Sequence, residues 1–283
     1  MNADVKPLVS IVVPSFNQGR FIGDTLRSII GQDYPNLEII VMDGGSTDET
    51  LDVVRSFGDR VQLISEPDDG QTDAINKGFG KARGEIVAWL NSDDIYLFKD
   101  SISYAVEQFR MHSEVDVLFG DYIRIDEHNR FLKAYRVRRK FNLNRLFRMC
   151  YISQPTVFFR SQVVSDQILD KSLNYGMDID LWLKLGVAGK KFRHSGRYVA
   201  AERIHDDAKT VAYPERSATE GRLIRARYAT SKELRHVLRR SWGDIFEMAY
   251  CRLMATATAF RCRTQRNTLV ALDFRKSASP VKN

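Results

Sequence analysis

Four polar clusters recur in the first third of the chain. They are Pro14-Ser15-Phe16-Asn17, Asp43-Gly44-Gly45-Ser46-Thr47-Asp48, Glu66-Pro67-Asp68-Asp69-Gly70-Gln71-Thr72-Asp73 and Asn91-Ser92-Asp93-Asp94. Singly, each is an ordinary loop of turns and helix caps. Gathered at one edge, so many carboxylates repel one another unless a cation or a hydroxyl-rich ligand lies among them. A divalent cation with a nucleotide-sugar diphosphate is such a ligand. Two later places hold groups that could move a proton or bind a metal. Asp178 and Asp180 stand two apart at the start of a helical pattern, so they do not share a helix face: one turns to a cleft and the other elsewhere. His205 precedes Asp206-Asp207, whereas His112, His128, His194 and His236 lack such a setting.

The elements that must position these groups read as strands alternating with helices. Leu8–Val13 is a buried strand that Pro14 should end, and residues 21–30 repeat apolar positions at helical period. Leu37–Met42 is a second strand, and Ser46-Thr47-Asp48-Glu49 opens a helix in the manner of a capping box. Val61–Ile64 and Glu85–Leu90 are further strands, with a turn and helix over Gly70–Gly80 between them. This alternation predicts an α/β fold with a doubly wound, mostly parallel sheet and helices on both faces. Right-handed crossovers bring the clusters to the carboxyl ends of the strands, where such sheets bind ligands. Beyond residue 100 the alternation weakens. Val115–Phe119 and Arg197–Ile204 read as strands, residues 122–140 as a hairpin around His128-Asn129, and residues 177–188 as a helix. From Pro214 the chain reads as Arg-rich helices.

The 283 residues suit one large domain or two small ones, and 43% hydrophobic with 28% charged residues is ordinary globular composition. The net charge of +7 is unevenly spread: residues 214–283 hold 15 Lys and Arg against 6 Asp and Glu. The domain reading is therefore one unit over 1–213, changing character at about residue 100 where the alternation weakens, followed by a basic helical extension over 214–283. Cys150, Cys251 and Cys262 form neither a CxxC pair nor a zinc pattern. No signal-peptide pattern and no uncharged apolar run of about 18 residues is present, so the default address is cytoplasmic.

The segments SIVVPSFNQGRFIGDTLRSIIGQDYPNLEIIVMDGGSTDET, GQTDAINKGFGKARGEIVAWLNSDD, YGMDIDLWLKL and RIHDDAKT, in this order over roughly residues 9–210, resemble family 2 glycosyltransferases of the GT-A fold. The resemblance implies an inverting transfer of sugar from a nucleotide-sugar to a hydroxyl. It implies that Pro14, Ser15 and Asn17 touch the nucleotide and that Asp43 bonds the base, which favours UDP or dTDP. Gln71, Asp73 and Asn76 would approach base and diphosphate, and Lys77 would supply the positive charge that many members carry as Arg where this chain has Ile75. Asn91, Ser92 and Asp93 occupy the place of the family's Asp-x-Asp; with an amide at 91, the Mg²⁺ or Mn²⁺ falls to Asp93, with His205 as second ligand and Thr210 beside it. Asp94 is a further neighbour of that site. Asp178 aligns with the catalytic base, and Met177 replaces the family's Glu. Trp182 is either core or an acceptor platform.

The acceptor implied is a saccharide or a polyprenyl-linked saccharide in cell-surface polysaccharide synthesis, met at the inner face of the membrane. A nucleotidyltransferase that makes sugar nucleotides is a rival, although Pro14–Asn17 is neither Gly-rich nor basic. A non-catalytic nucleotide- or membrane-surface-binding protein is another, which leaves the acidic edge unexplained. Nothing calls for nucleic acid. Residues 245–260, mostly apolar and followed by Arg261, Arg263 and Arg266, read as a helix packed on the catalytic unit or on a homodimer partner, or as a face on an anionic membrane.

Overall fold

The computed structural model describes residues 6–137 and 140–229. In chain order the elements are β1 (Val9–Ser15), α1 (Gly19–Ile30), β2 (Leu37–Asp43), α2 (Thr50–Arg55), β3 (Gln62–Ser65), α3 (Gln71–Lys81), β4 (Ile86–Trp89), β5 (Ile95–Tyr96), α4 (Ser101–Met111), β6 (Val117–Asp126), β7 (Phe131–Tyr135), α5 (Leu143–Arg148), β8 (Phe158–Arg160), α6 (Met177–Val187), β9 (Phe192–Ile204), α7 (Lys209–Ala212) and α8 (Pro214–Tyr228). Among the described residues they form one nine-stranded sheet of order β3-β2-β1-β4-β8-β6-β9-β5, with β7 paired to β6.

The first half is the parallel sheet the sequence predicts. β1 is buried along its whole length, as a strand covered by helices on both faces must be. Its Val9, Ile11 and Val13 face one apolar cluster with α1 and α4, and Val12 faces another with α3 and α6. The second half is mixed: β4–β8, β8–β6, β6–β7 and β9–β5 are antiparallel, and only β6–β9 is parallel. The hairpin expected around His128-Asn129 joins β6 to β7, with Asn129 at a φ of 61° in its turn.

Pro14 does not end β1; it pairs with Met42, and Ser15 with Asp43. Val9 donates to Asn36 and Ser15 accepts from Gly44 on the β2 side, whereas Val12 accepts from Leu90 on the β4 side. Alternation puts position 14 on the β4 side, beyond the last paired residue there, so the missing N–H breaks no ladder bond. The capping box over residues 46–49 does not form either. α2 starts at Thr50 with Glu49 before it and no side-chain cap there. Asp48 instead accepts from the Thr50 N–H and, at 3.0 Å, from the Gly19 N–H, joining the two loops.

The halves are joined by aromatic packing. Trp89, Phe159 and Trp182 pack mutually, with ring separations of 6.1, 5.8 and 5.7 Å. Trp182, with 0% of its surface exposed, is therefore core and not an acceptor platform. α8 belongs to the same body: Ile224 is buried in the cluster that holds α6, so the boundary drawn at 213 precedes a helix packed on the catalytic unit. Residues 245–260 and the rest of the extension beyond 229 lie outside the described residues. No helix among the described residues is long and apolar enough to cross a membrane.

Candidate active site

A cavity of about 830 Å³ opens at the carboxyl ends of β1 and β4. Its far wall is built by the segment before α6 and by the end of β9. Of the residues singled out in the sequence, Pro14, Ser15, Gln71, Asn91, Ser92, Asp93, Asp178 and His205 line it. Residues that lie 191 positions apart in the chain thus share one space, because strand order and not sequence order sets the sheet edge.

Asn17, Asp43, Asp73, Asn76 and Lys77 are not among its lining residues. Asp43 is 1% exposed, and its carboxylate accepts from the N–H groups of Gly45 and Ser46 and from the hydroxyls of Ser46 and Ser65. These bonds build the loop behind the cavity. Asn17, at a φ of 52°, accepts from the Thr47 N–H and donates its own N–H to Ser46, stapling the first two loops together. Asn76 is held by reciprocal bonds to the backbone of Leu169. Asp73 pairs with Lys171 at 2.7 Å and Lys77 at 3.2 Å. Burial pushes its carboxyl up, but bonds from Lys171, the Asp69 N–H and Lys77 outweigh that and bring it to about 2. These last groups line a second cavity of about 590 Å³ on α3. Lys77 is there too, bound to Asp73 and Glu66, so it is not the cation of the main cavity.

Lys209 takes that place. It lines the main cavity and donates to Gln71 Oε1 at 3.1 Å, while Gln71 donates to Asn91 Oδ1 at 2.9 Å. Burial lowers its pKa, opposed by the charges of Asp68, Glu220 and Asp93. The side chain of Thr210 lies outside the described part.

One corner suits a cation. His205 Nε2 lies 3.0 Å from Asp93 Oδ2. The imidazole is 6% exposed, packs on Phe21 at 4.6 Å, and its Nδ1 has no partner. No group of three or more His, Cys, Asp or Glu able to hold a metal occurs among the described residues. Two protein donors fit a cation of the Mg²⁺ class that takes its remaining ligands from water and from substrate phosphates. Asp94 lines the same cavity beside this pair. It is buried, accepts from the Arg203 N–H at 3.0 Å, and its carboxyl is raised well above the usual range by burial and by the nearby charges of Asp93 and Glu202.

Arg203 was not anticipated. It is 2% exposed, and its guanidinium donates to the carbonyl of Asp93 at 2.7 Å and to Asn129 Oδ1 at 2.8 Å. The signal was an arginine inside the apolar strand Val199–Ile204, where a charge must be paired.

The other corner holds a carboxylate. Asp178, in the first turn of α6, lines the cavity and accepts from the Ile179 N–H at 2.7 Å. Burial, with the Glu202 charge beyond it, raises its pKa to about 6 against the lowering effect of its hydrogen bonds and of Arg225. Asp180, 3% exposed, points away and is bound by Arg227 at 3.2 Å and the Tyr228 hydroxyl at 3.1 Å. The cavity thus offers a cation corner, a lysine and a raised-pKa carboxylate, a set able to hold a phosphorylated ligand and take a proton from a second one.

The sequence model described as glycosyl transferase family 2 matches residues 10–171. An uncharacterized glycosyltransferase of Rickettsia typhi is 29% identical over 217 residues, covering 72% of this chain and 66% of that protein. A PGL/p-HBAD biosynthesis glycosyltransferase of Mycobacterium bovis is 31% identical over 158 residues, covering 54% of this chain and 59% of that protein. The chain thus spans less than two thirds of either relative. Among solved structures, S. aureus TarS 1–349 in complex with UDP-GlcNAc superposes with a TM-score of 0.65 at 20% identity, over 82% of this chain and 70% of that one. The mannosyltransferase PcManGT of Pyrobaculum calidifontis, in complex with GDP-Man and Mn²⁺, gives 0.56 at 20%, over 72% and 59%. At these identities the structural likeness is one of fold.

Proposed function

The chain belongs to glycosyl transferase family 2 and has the GT-A fold, and from that premise we propose that it transfers a glycosyl group, with inversion, from a nucleotide-sugar to a hydroxyl of a saccharide or lipid-linked acceptor. One juxtaposition carries the reading: the Asp93–His205 pair and the Asp178 carboxylate line a single cavity at the sheet edge.

Glycosyl transfer of this kind breaks the bond between the anomeric carbon and the diphosphate and forms one to the acceptor oxygen. Negative charge grows on the leaving diphosphate while positive charge grows on the sugar. Asp93 and His205 would hold a Mg²⁺ or Mn²⁺, which when bound neutralises that diphosphate charge. Lys209 adds a protein cation on the same side through its place beside Gln71. Asp178 accepts the acceptor's proton as its oxygen attacks. A carboxyl raised to about 6 remains ionised at neutral pH and is a stronger base than an ordinary aspartate. A single displacement requires no enzyme nucleophile, and one attack from the face opposite the leaving group inverts the anomeric centre.

The donor taken first is a UDP-sugar, because S. aureus TarS 1–349 is solved with UDP-GlcNAc, whereas PcManGT is solved with GDP-Man. Because Asp43 is consumed by its own loop, the choice of base does not rest on it. A screen of UDP-, dTDP- and GDP-sugars for nucleotide release, with Mg²⁺, Mn²⁺ or EDTA, tests the reading. Release from UDP- or dTDP-sugars that requires the cation is expected. Full activity in EDTA removes the metal, release from GDP-sugars alone removes the pyrimidine donor, and no release under any condition from folded protein removes the transferase.

A further inference from the structure

The residue at the N-cap of α6, Gly176, contributes no side chain. Within the first turn, Asp178 accepts from the Ile179 N–H. The backbone leading into the helix is held from 44 residues further along the chain. The Glu220 carboxylate, on α8, accepts from the N–H of Gly176 at 2.6 Å, of Tyr175 at 2.7 Å, and of Asn174 with both oxygens at 3.1 and 3.2 Å. Three consecutive backbone N–H groups closing on one anion form a nest, and the anion stands at the positive end of the α6 dipole.

Two further contacts seat α8 on the same turn of α6. Ile224 lies against Gly176 so closely that a Cβ there would come within 2.6 Å of its Cδ1. Arg227 and Tyr228 hold Asp180. Glu220 therefore holds the backbone before Asp178, and the Arg227–Tyr228 pair holds the side chain of Asp180 after it. Glu220 does not line the cavity itself, although its charge reaches Lys209, which does.

We propose that Glu220 is a positioning residue for Asp178: its carboxylate fixes the first turn of α6, and so sets where the base meets the acceptor hydroxyl. This rests on the reading of Asp178 as the base. Displacement of a reacting group by about 1 Å can cost on the order of 10²-fold in rate, so loosening this turn should appear in turnover and not in donor binding.

The test uses the full chain, the sugar nucleotide with the highest release in the screen above, and UDP as the binding probe in calorimetry. Glu220→Ala should lower kcat roughly 10- to 100-fold, with donor KM and UDP affinity within about twofold of wild type. Glu220→Gln, which keeps an acceptor oxygen for the nest, should recover most of that loss. In the double variant Asp178→Asn/Glu220→Ala, the second change should cost nothing beyond Asp178→Asn alone, because a positioning effect vanishes once the group it positions is gone. Unchanged kcat in Glu220→Ala overturns the proposal. So does a loss accompanied by equal loss of UDP binding, or one that adds in full to the loss from Asp178→Asn. If Asp178→Asn itself keeps full transfer, the base assignment fails first and takes the proposal with it.

Discussion

Asp178 and Asp180 are the same residue type two positions apart, and their surroundings give them opposite work. Asp178→Asn should lower transfer by roughly 10²–10⁴, the range for loss of a general base, while UDP affinity stays near wild type. Its pH dependence has a definite sign. Because burial raises the folded pKa to about 6, the base is lost as pH falls through that value, and kcat should drop about tenfold per unit below it. The same shift means the folded state holds this proton more tightly than the unfolded chain does. Its contribution to stability is greatest in acid and is lost as pH rises through about 6. Asp178→Asn should therefore leave the melting temperature at pH 7 no lower than wild type, a result calorimetry can check. Asp93→Asn should differ, weakening UDP binding in Mg²⁺ or Mn²⁺ while leaving binding in EDTA unchanged. Residues of this kind are only half legible in a sequence. Asp43 and Asp93 both end strands in polar loops, yet the first is absorbed by Ser46, Ser65 and two N–H groups and the second faces the cavity. What separates them is which loop folds back on itself, and no local pattern records that.

Elements were legible where a buried run or a helical period stood out, not simply where they were long: the four-residue β3 shows as Val61–Ile64, while the eleven-residue α4 goes unread. β1, β2 and α1 carry enough residues to show a buried run or a helical period, and the strand after α3 shows as Glu85–Leu90. β5 has two residues and β8 three, too few to show any period, so the antiparallel seam through β8 could not be read. Pro14 misled because its cost depends on which side of β1 it faces, a property of the neighbouring strand. The seating of α3 on the sheet is equally a matter of contact. A Cβ at Gly78 would stand 2.3 Å from Val12 Cγ1 and 3.1 Å from Met42 Cγ. Gly78→Ala should therefore lower stability by about 1–3 kcal/mol in urea unfolding even though alanine is the better helix former. A stabilised variant would show that the helix can slide away from the sheet at little cost.

At the scale of the molecule, the parallel and the mixed halves of the sheet share a core, and we expect them to unfold together. A single apolar cluster runs from Val12 through Trp89 and Phe159 to Trp182 and Ile224. Trp182→Ala should cost about 3–5 kcal/mol and shift far- and near-ultraviolet dichroism together, with no plateau between the halves. Separate transitions would mean that the stack does not couple them. The Glu220 nest has a consequence in time. A chain leaves the ribosome N-terminus first at about 5–20 residues per second, so the helix bearing Asp178 emerges seconds before the carboxylate that clamps it. On the proposed reading of Asp178, the nascent protein holds its base on a loosely seated helix until α8 docks, and competence for chemistry follows only after the sheet edge has formed.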